Sequence, residues 1–217
     1  MLRYSNMGEN ITSAGNQQGT RKIARDSSET TSQSPFSKSE LKAYLLGALH
    51  DGTFSCNKRF RFSQKGIEWL KVLQNFLKNL GYNSWIYKEG KNRNEMYVLE
   101  TLAKFLDFKF NPLKLKSKKE KISYLRGFFD AEGGIPKNKR DDFYIQLVQN
   151  EKSKLIKLKN ILNNLDINTG KIHNPSKKVD PDYWRMFISA DSRKKFVKTI
   201  NSWHPRKLKT LRKRMKI

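Results

Sequence analysis

The sequence predicts an α+β fold made of two pseudo-symmetric repeats, each running helix, strand, strand, helix, strand, strand, helix (αββαββα). Three observations carry this: a stretch that recurs in the second half, two apolar helices that each end on an acid and a glycine, and strands in which apolar and polar residues alternate.

The recurring stretch is Leu73–Asn83, which matches Leu158–Asn168 with six of eleven positions identical. At the same offset of 85, Phe60 pairs with Ile145, Phe62 with Leu147 and Gln64 with Gln149. Upstream, Asp51-Gly52 pairs with Glu132-Gly133 at an offset of 81, so the second hairpin is four residues longer. Downstream, Phe105 pairs with Phe196 at an offset of 91.

Each element follows from local signals. Ser37-x-x-Glu40 is a capping-box pattern that opens an apolar helix over Leu41–Asp51, and Gly52 is placed to end it in a left-handed cap. Lys58–Ser63 alternates basic and apolar residues and reads as a strand. Ile67–Leu80 has helical spacing of its apolar residues. Strands over Ser84–Lys88 and Met96–Glu100 are joined by the turn Gly90-Lys91-Asn92, and a short helix is expected over Leu102–Phe108. The domain reading is therefore a leader (1–36), a first repeat (37–110), a basic linker (111–121), a second repeat (122–203) and a basic C-terminal tail (204–217).

Charge narrows the partner. The chain carries 45 Lys and Arg against 20 Asp and Glu, a formal net charge of +25. The leader is rich in Ser, Thr, Asn, Gln and Gly and reads as disordered. Its four basic and three acidic residues nearly cancel, so the excess belongs to the folded part. Such repulsion is relieved by a polyanion, and nucleic acid comes first because each phosphate neutralised also releases counterions. No apolar run is long enough to span a bilayer, and no signal peptide opens the sequence, so a membrane partner is not expected. The single Cys56 excludes an internal disulfide and a cysteine-rich zinc site, and it fits a reducing interior: cytoplasm, nucleoid or an organelle matrix.

The chemistry is expected at the two helix ends. One reads Tyr44-Leu-Leu-Gly-Ala-Leu-His-Asp51-Gly52, the other Tyr124-Leu-Arg-Gly-Phe-Phe-Asp-Ala-Glu132-Gly133. A glycine inside a helix costs about 1 kcal/mol against alanine. Its presence at Gly47 and at Gly127 points to two helices packed backbone to backbone at the repeat interface, with their C-terminal ends side by side. An acid at a helix C-terminus is disfavoured by the dipole, and two acids brought together repel. Basic residues could supply the counter-charge; a hard divalent cation supplies it better, because it favours carboxylate and carbonyl oxygens. Paired acids in a very basic protein point to metal-assisted phosphodiester hydrolysis, with Mg²⁺ (or Mn²⁺) held by Asp51 and Glu132.

These segments resemble the paired motifs of the LAGLIDADG homing endonucleases in their monomeric, two-motif form, over about residues 37–203. The second motif, Leu125–Gly133, is close to the family consensus. The first is one residue short, since Gly47 precedes Asp51 by four positions while Gly127 precedes Glu132 by five. In a regular α-helix that leaves Asp51 about 100° out of phase and about 1.5 Å short; a small shift of the helix would restore it, and without one the first site is impaired and one strand is nicked preferentially. His50 is read as a packing residue or as a partner of the ligands, not as a ligand.

The resemblance implies a saddle of antiparallel strands on double-stranded DNA, with helices behind it. Alternation would then turn Phe60 and Phe62 inward and Arg59 and Arg61 to DNA; in the second copy Phe143, Ile145 and Leu147 inward, Tyr144 and Gln146 outward. Arginine pairs with guanine and glutamine with adenine in the major groove. Tyr87, Lys88, Arg93, Lys171, His173, Lys177, Lys178 and Arg185 are further DNA contacts, many to phosphate. Trp85 and Trp184 are read as packing anchors. The resemblance also places Gln64 and Lys65 beside a scissile phosphate, Lys65 polarising water or the leaving oxygen. Gln149 and Asn150 match them in the second copy, where Lys137 stands in for the absent lysine.

The leading expectation is an intron-encoded, monomeric endonuclease that breaks both strands of a long asymmetric target. The alternatives are a maturase that binds its host intron RNA, and a DNA-binding protein with a degenerate site.

Overall fold

The computed structural model describes residues 35–90, 95–136, 138 and 140–215. The leader, apart from Pro35 and Phe36, lies outside them, as do Arg93 and Lys137. Phe36 belongs to the fold: its ring lies 4.5 Å from that of Trp203.

In the first repeat, α1 (Lys38–Ala48) starts at the expected capping box, with Ser37 and Glu40 each accepting from the other's backbone N–H. It continues as a 3₁₀ turn over Leu49–Asp51. Gly52 is extended, with φ −88°, so it opens a strand and is not the left-handed cap its position suggests. It is glycine because an added Cβ would lie 2.8 Å from the Leu49 carbonyl oxygen. Strands β1 (Gly52–Phe54), β2 (Phe60–Lys65), β3 (Ser84–Lys88) and β4 (Met96–Thr101) form an antiparallel sheet in the order β1-β2-β4-β3, with α2 (Glu68–Asn79) between β2 and β3. Phe62 and Leu99, cross-strand partners in β2 and β4, are buried against Leu45, Leu70, Leu73 and Leu77.

The helix expected over Leu102–Phe108 is absent; the segment is a chain of turns. Local side-chain turns stand at its two ends: Thr101 Oγ1 accepts from the Ala103 N–H at 3.3 Å, and Asp107 accepts from the Lys109 N–H at 2.8 Å.

In the second repeat, α3 (Lys118–Glu132) has its own capping box at Ser117 and Glu120, and it begins inside the stretch read as linker. Strands β5 (Gly133–Gly134), β6 (Gln146–Gln149) and β7 (Trp184–Phe187) form a second antiparallel sheet around α4 (Lys152–Asn163). The fourth strand is reduced to two isolated bridges, Thr169 to Ile188 and His173 to Arg185. Helix α5 (Arg193–Thr199) closes the repeat, and its Phe196 is buried beside Phe129. The C-terminal stretch read as a tail is mostly helix α6 (Pro205–Met215), held to the second core by Leu211.

The two repeats meet along α1 and α3. A Cβ on Gly47 would lie 2.1 Å from the Tyr124 carbonyl oxygen, and one on Gly127 2.0 Å from that of Tyr44. The glycines are therefore equivalent contacts about a pseudo-twofold axis, and their lack of a side chain lets the backbones touch.

Candidate active site

The shortened first motif is accommodated by a change of helix type. From Gly127 to Glu132 the chain takes five α steps, about 7.5 Å of rise and about 500° of turn. From Gly47 to Asp51 it takes one α step and then three 3₁₀ steps, which also rise about 7.5 Å and turn about 460°. The missing residue is recovered in length, and the angular error falls from about 100° to about 40°. The 3₁₀ turn thus supplies most of the shift that would restore Asp51.

The two acids sense one another. The Glu132 carboxyl is pushed up from 4.5 to about 7, first by burial and next by the Asp51 charge, with Lys207 and Lys154 opposing. Burial also raises Asp51, while a hydrogen bond from Gln64 and the charge of Lys207 lower it. Gln64 Nε2 donates to Asp51 Oδ2 at 3.2 Å, so the pairing expected on the first site is formed. Lys65, next along β2, points to the other face and pairs with Glu95 at 3.5 Å, away from the acids. Gln149, expected at the second site, contacts the His50 Nδ1 at 3.2 Å instead of Glu132.

The flanks of the helix pair are matched. His50 Nε2 and the Tyr124 hydroxyl lie 2.6 Å apart on one side; on the other, the Tyr44 hydroxyl donates to Asp130 at 2.6 Å. His50 and Asp130, like Tyr44 and Tyr124, stand 80 residues apart, the spacing of Gly47 and Gly127. Burial lowers His50 to about 3, so it is a neutral packing and hydrogen-bonding residue. Asp130 is fully buried and accepts from the Ser202 hydroxyl and from the Trp203 and His204 N–H groups, which fastens the end of the second repeat to the motif helix. Lys207 Nζ donates to the Phe129 and Asp130 carbonyl oxygens at 2.5 and 2.8 Å. Asp130, Tyr44, Tyr124 and Lys207 were not found from sequence. The matched spacing of the tyrosines was a usable signal; Lys207 gave none, because its role depends on where α6 docks.

The expected DNA-facing residues fall into two clusters. On the first sheet, Arg59 and Arg61 pair with Glu100 at 3.1 and 3.2 Å, and the Tyr87 hydroxyl donates to it at 2.8 Å. Arg61 also pairs with Glu89 at 3.1 Å. The half-buried Trp85 ring packs against the Arg59 guanidinium. Arg59 itself precedes β2, and Lys88 is exposed at the end of β3. On the second sheet, Arg185 Nε donates to His173 at 3.2 Å, and Phe187 carries Arg185, His173 and Tyr144 around its ring. Gln146 lies on β6 opposite Gly134 and Phe187. Tyr144 lies before β6, not within it. Ile145 and Leu147 are buried as expected, and Phe143 is partly so. Lys171, Lys177 and Lys178 are exposed on the segment between α4 and β7.

Residues 119–201 match the family described as LAGLIDADG-like domain. The fold of the LAGLIDADG proteins extends over both repeats: a structure of the homing endonuclease I-DmoI with DNA and Mn superposes with a TM-score of 0.59 at 22% identity, over 76% of this chain and 98% of that one. The N-terminal LAGLIDADG domain of DUF199/WhiA superposes with a TM-score of 0.59 at 20% identity, over 76% of this chain and 84% of that one. The uncharacterized protein MJ0314 of Methanocaldococcus jannaschii is 26% identical over 126 residues, 51% of this chain and 47% of that protein, so the match spans about half of the relative's length.

Helix α3 ends on Glu132 and the 3₁₀ turn after α1 ends on Asp51, near enough for the Asp51 charge to raise the Glu132 carboxyl. Two carboxylates raised by burial, with Glu132 raised further by the Asp51 charge, suit a hard divalent cation, which would relieve both effects. Among the described residues no group of three or more His, Cys, Asp or Glu could hold a metal. A cation here would take the two carboxylates and complete its shell from backbone carbonyls, water or a bound phosphate. No helix among the described residues is long and apolar enough to cross a membrane.

Proposed function

We propose that this chain is a site-specific endonuclease of the homing type, acting as a monomer with Mg²⁺ or Mn²⁺ to break both strands of a long, asymmetric DNA target. The observation that carries the reading is the convergence of Asp51 and Glu132 at the ends of two helices whose backbones touch through Gly47 and Gly127. That I-DmoI was solved with DNA and Mn supports DNA and a divalent cation as partners. When bound, the cation supplies Lewis-acid stabilisation of phosphate charge and a more acidic water. The chain's own residues do the rest. Asp51 and Glu132 hold the cation, Gln64 orients the Asp51 carboxylate, and His50 with Tyr124 and Asp130 with Tyr44 fix the two helix ends. Asymmetry of the target follows from the different clusters on the two sheets, with Arg59, Arg61 and Tyr87 on one and Arg185, His173 and Tyr144 on the other. An intron-encoded origin and an intracellular site of action belong to the same proposal.

The test is cleavage of a supercoiled plasmid library in the presence of Mg²⁺. Linear product that disappears in Asp51→Asn and Glu132→Gln is expected. A second reading, sequence-specific DNA binding without cleavage, is favoured by the equal likeness to DUF199/WhiA. It would be chosen if a selected target is bound tightly and left intact.

A further inference from the structure

Lys207 lies outside the matched residues 119–201 and outside the two motifs, on α6. Its ammonium is nevertheless buried, with 7% of the residue exposed, against the last carbonyls of α3. A buried ammonium is costly unless it is paired and hydrogen-bonded. Here it has two carbonyl acceptors, at Phe129 and Asp130, and it feels the charges of Asp130, Asp51 and Glu132. Burial lowers it only to about 8, so it stays mostly charged at neutral pH.

The delivery is specific. Pro205 opens α6, Leu211 one turn beyond Lys207 is buried in the second core, and Arg214 donates to the Asn138 and Asp141 carbonyl oxygens. Upstream, Asp130 grips Ser202, Trp203 and His204, and the His204 ring stacks on Trp69 of the first repeat. On the matching flank of α1, His50 packs on Tyr124 and Phe128 and lines a cavity of about 310 Å³ together with Phe108, Phe110 and Lys154 of α4.

We propose that Lys207 is the positioning cation of the carboxylate pair: from α6 it pins the end of α3, and with it Glu132, and lends one positive charge to both acids. The C-terminal helix is then part of the active centre. The geometry is asymmetric: Lys207 is rooted at the end of the second motif and acts on both acids, while the charge of Lys154 on α4 acts on Glu132 alone of the two. This rests on the endonuclease reading for its catalytic consequence, but not for the clamp itself.

The experiment compares Lys207→Gln, which keeps a donor without the charge, with Lys207→Arg, which keeps both. Three quantities are read on the full chain: amide exchange at residues 131–134, DNA affinity in Ca²⁺, and the single-turnover cleavage rate at saturating DNA and Mg²⁺. In the glutamine variant, exchange at 131–134 is expected to quicken and cleavage to slow, each at least tenfold, on the order of one lost charge-assisted hydrogen bond. DNA affinity should stay within about threefold, and arginine should restore most of both losses. Unchanged exchange and cleavage in a folded glutamine variant would overturn the proposal. So would parallel loss of DNA binding, cleavage and global stability in both variants, which would make Lys207 merely structural. Should the glutamine variant not fold, the arginine variant decides: wild-type exchange at 131–134 supports the clamp, and loss of protection there refutes it. If the wild-type protein cuts no target, the endonuclease reading fails and the exchange measurement alone judges Lys207.

Discussion

Replacing Glu132 by glutamine removes one of two facing negative charges while keeping the shape of the side chain. The folded state holds the Glu132 proton up to about 7, whereas the unfolded chain releases it near 4.5. The folded protein therefore binds this proton more tightly than the unfolded chain, and stability is lost as pH rises from about 4.5 through about 7. At 1.36 kcal/mol per pH unit, the full loss above pH 7 is about 3 kcal/mol, and at pH 5 it is about 1 kcal/mol. Water reaching the partly exposed carboxyl screens some of this, so ~2–3 kcal/mol is expected at pH 8. Glutamine cannot ionise. In EDTA, urea unfolding should show Glu132→Gln more stable than wild type by ~2–3 kcal/mol at pH 8, and by less than about 1 kcal/mol at pH 5. Mg²⁺ should narrow the pH 8 gap, because only the wild-type pair binds it well and binding to the native state stabilises it. The same variant should lose cleavage. A glutamine variant less stable than wild type at pH 8, or equally offset at both pH values, would refute the claim that the two acids are held together at an electrostatic cost.

Other consequences are open to measurement. Gly47→Ala and Gly127→Ala each place a methyl about 2 Å from a backbone oxygen across the helix interface, so each should destabilise by about 3 kcal/mol or more in urea melts. A small cost would mean that the helices are not in backbone contact. Inserting alanine between His50 and Asp51 gives the first motif the spacing of the second, and an α turn should replace the 3₁₀ turn with little change in the position of Asp51. Plasmid cleavage within about threefold of wild type is expected, since an unmoved carboxylate loses little transition-state stabilisation. Glu100→Gln releases Arg59, Arg61 and Tyr87 from their shared acceptor. Competition binding should show weaker discrimination, by about 1–3 kcal/mol at the base pair each residue reads, with general affinity retained.

What could be read in the sequence was what repeats. The 85-residue offset placed both central helices and the β2 and β6 cores, and the Ser-x-x-Glu box placed the start of α1 within a turn. An identical box at Ser117 was passed over because its surroundings, rich in lysine, resemble a linker. Leu102–Phe108 failed for a different reason. Its apolar spacing is helical, but seven residues make less than two turns, too few to hold a helix without tertiary support, and no periodicity reports that shortfall. Glu100 ends the expected strand in plain sight. Its partnership with Arg59 and Arg61 is a matter of register, which pairs Arg61 with Glu100 across β2 and β4.

The first motif shows most clearly where pattern and structure part. Counted in residues, it is defective; counted in ångströms, it is whole. Helix type is free to vary at a terminus, where hydrogen bonds can reach three residues back instead of four, so a deletion at the last turn can be absorbed there without moving the glycine contact behind it. The same deletion between Tyr44 and Gly47 would have had no such outlet, because Tyr44 is fixed by Asp130 and Trp69, and Gly47 by the Tyr124 carbonyl. The position of the missing residue, between the last fixed point and the free end, is therefore what lets Asp51 meet Glu132.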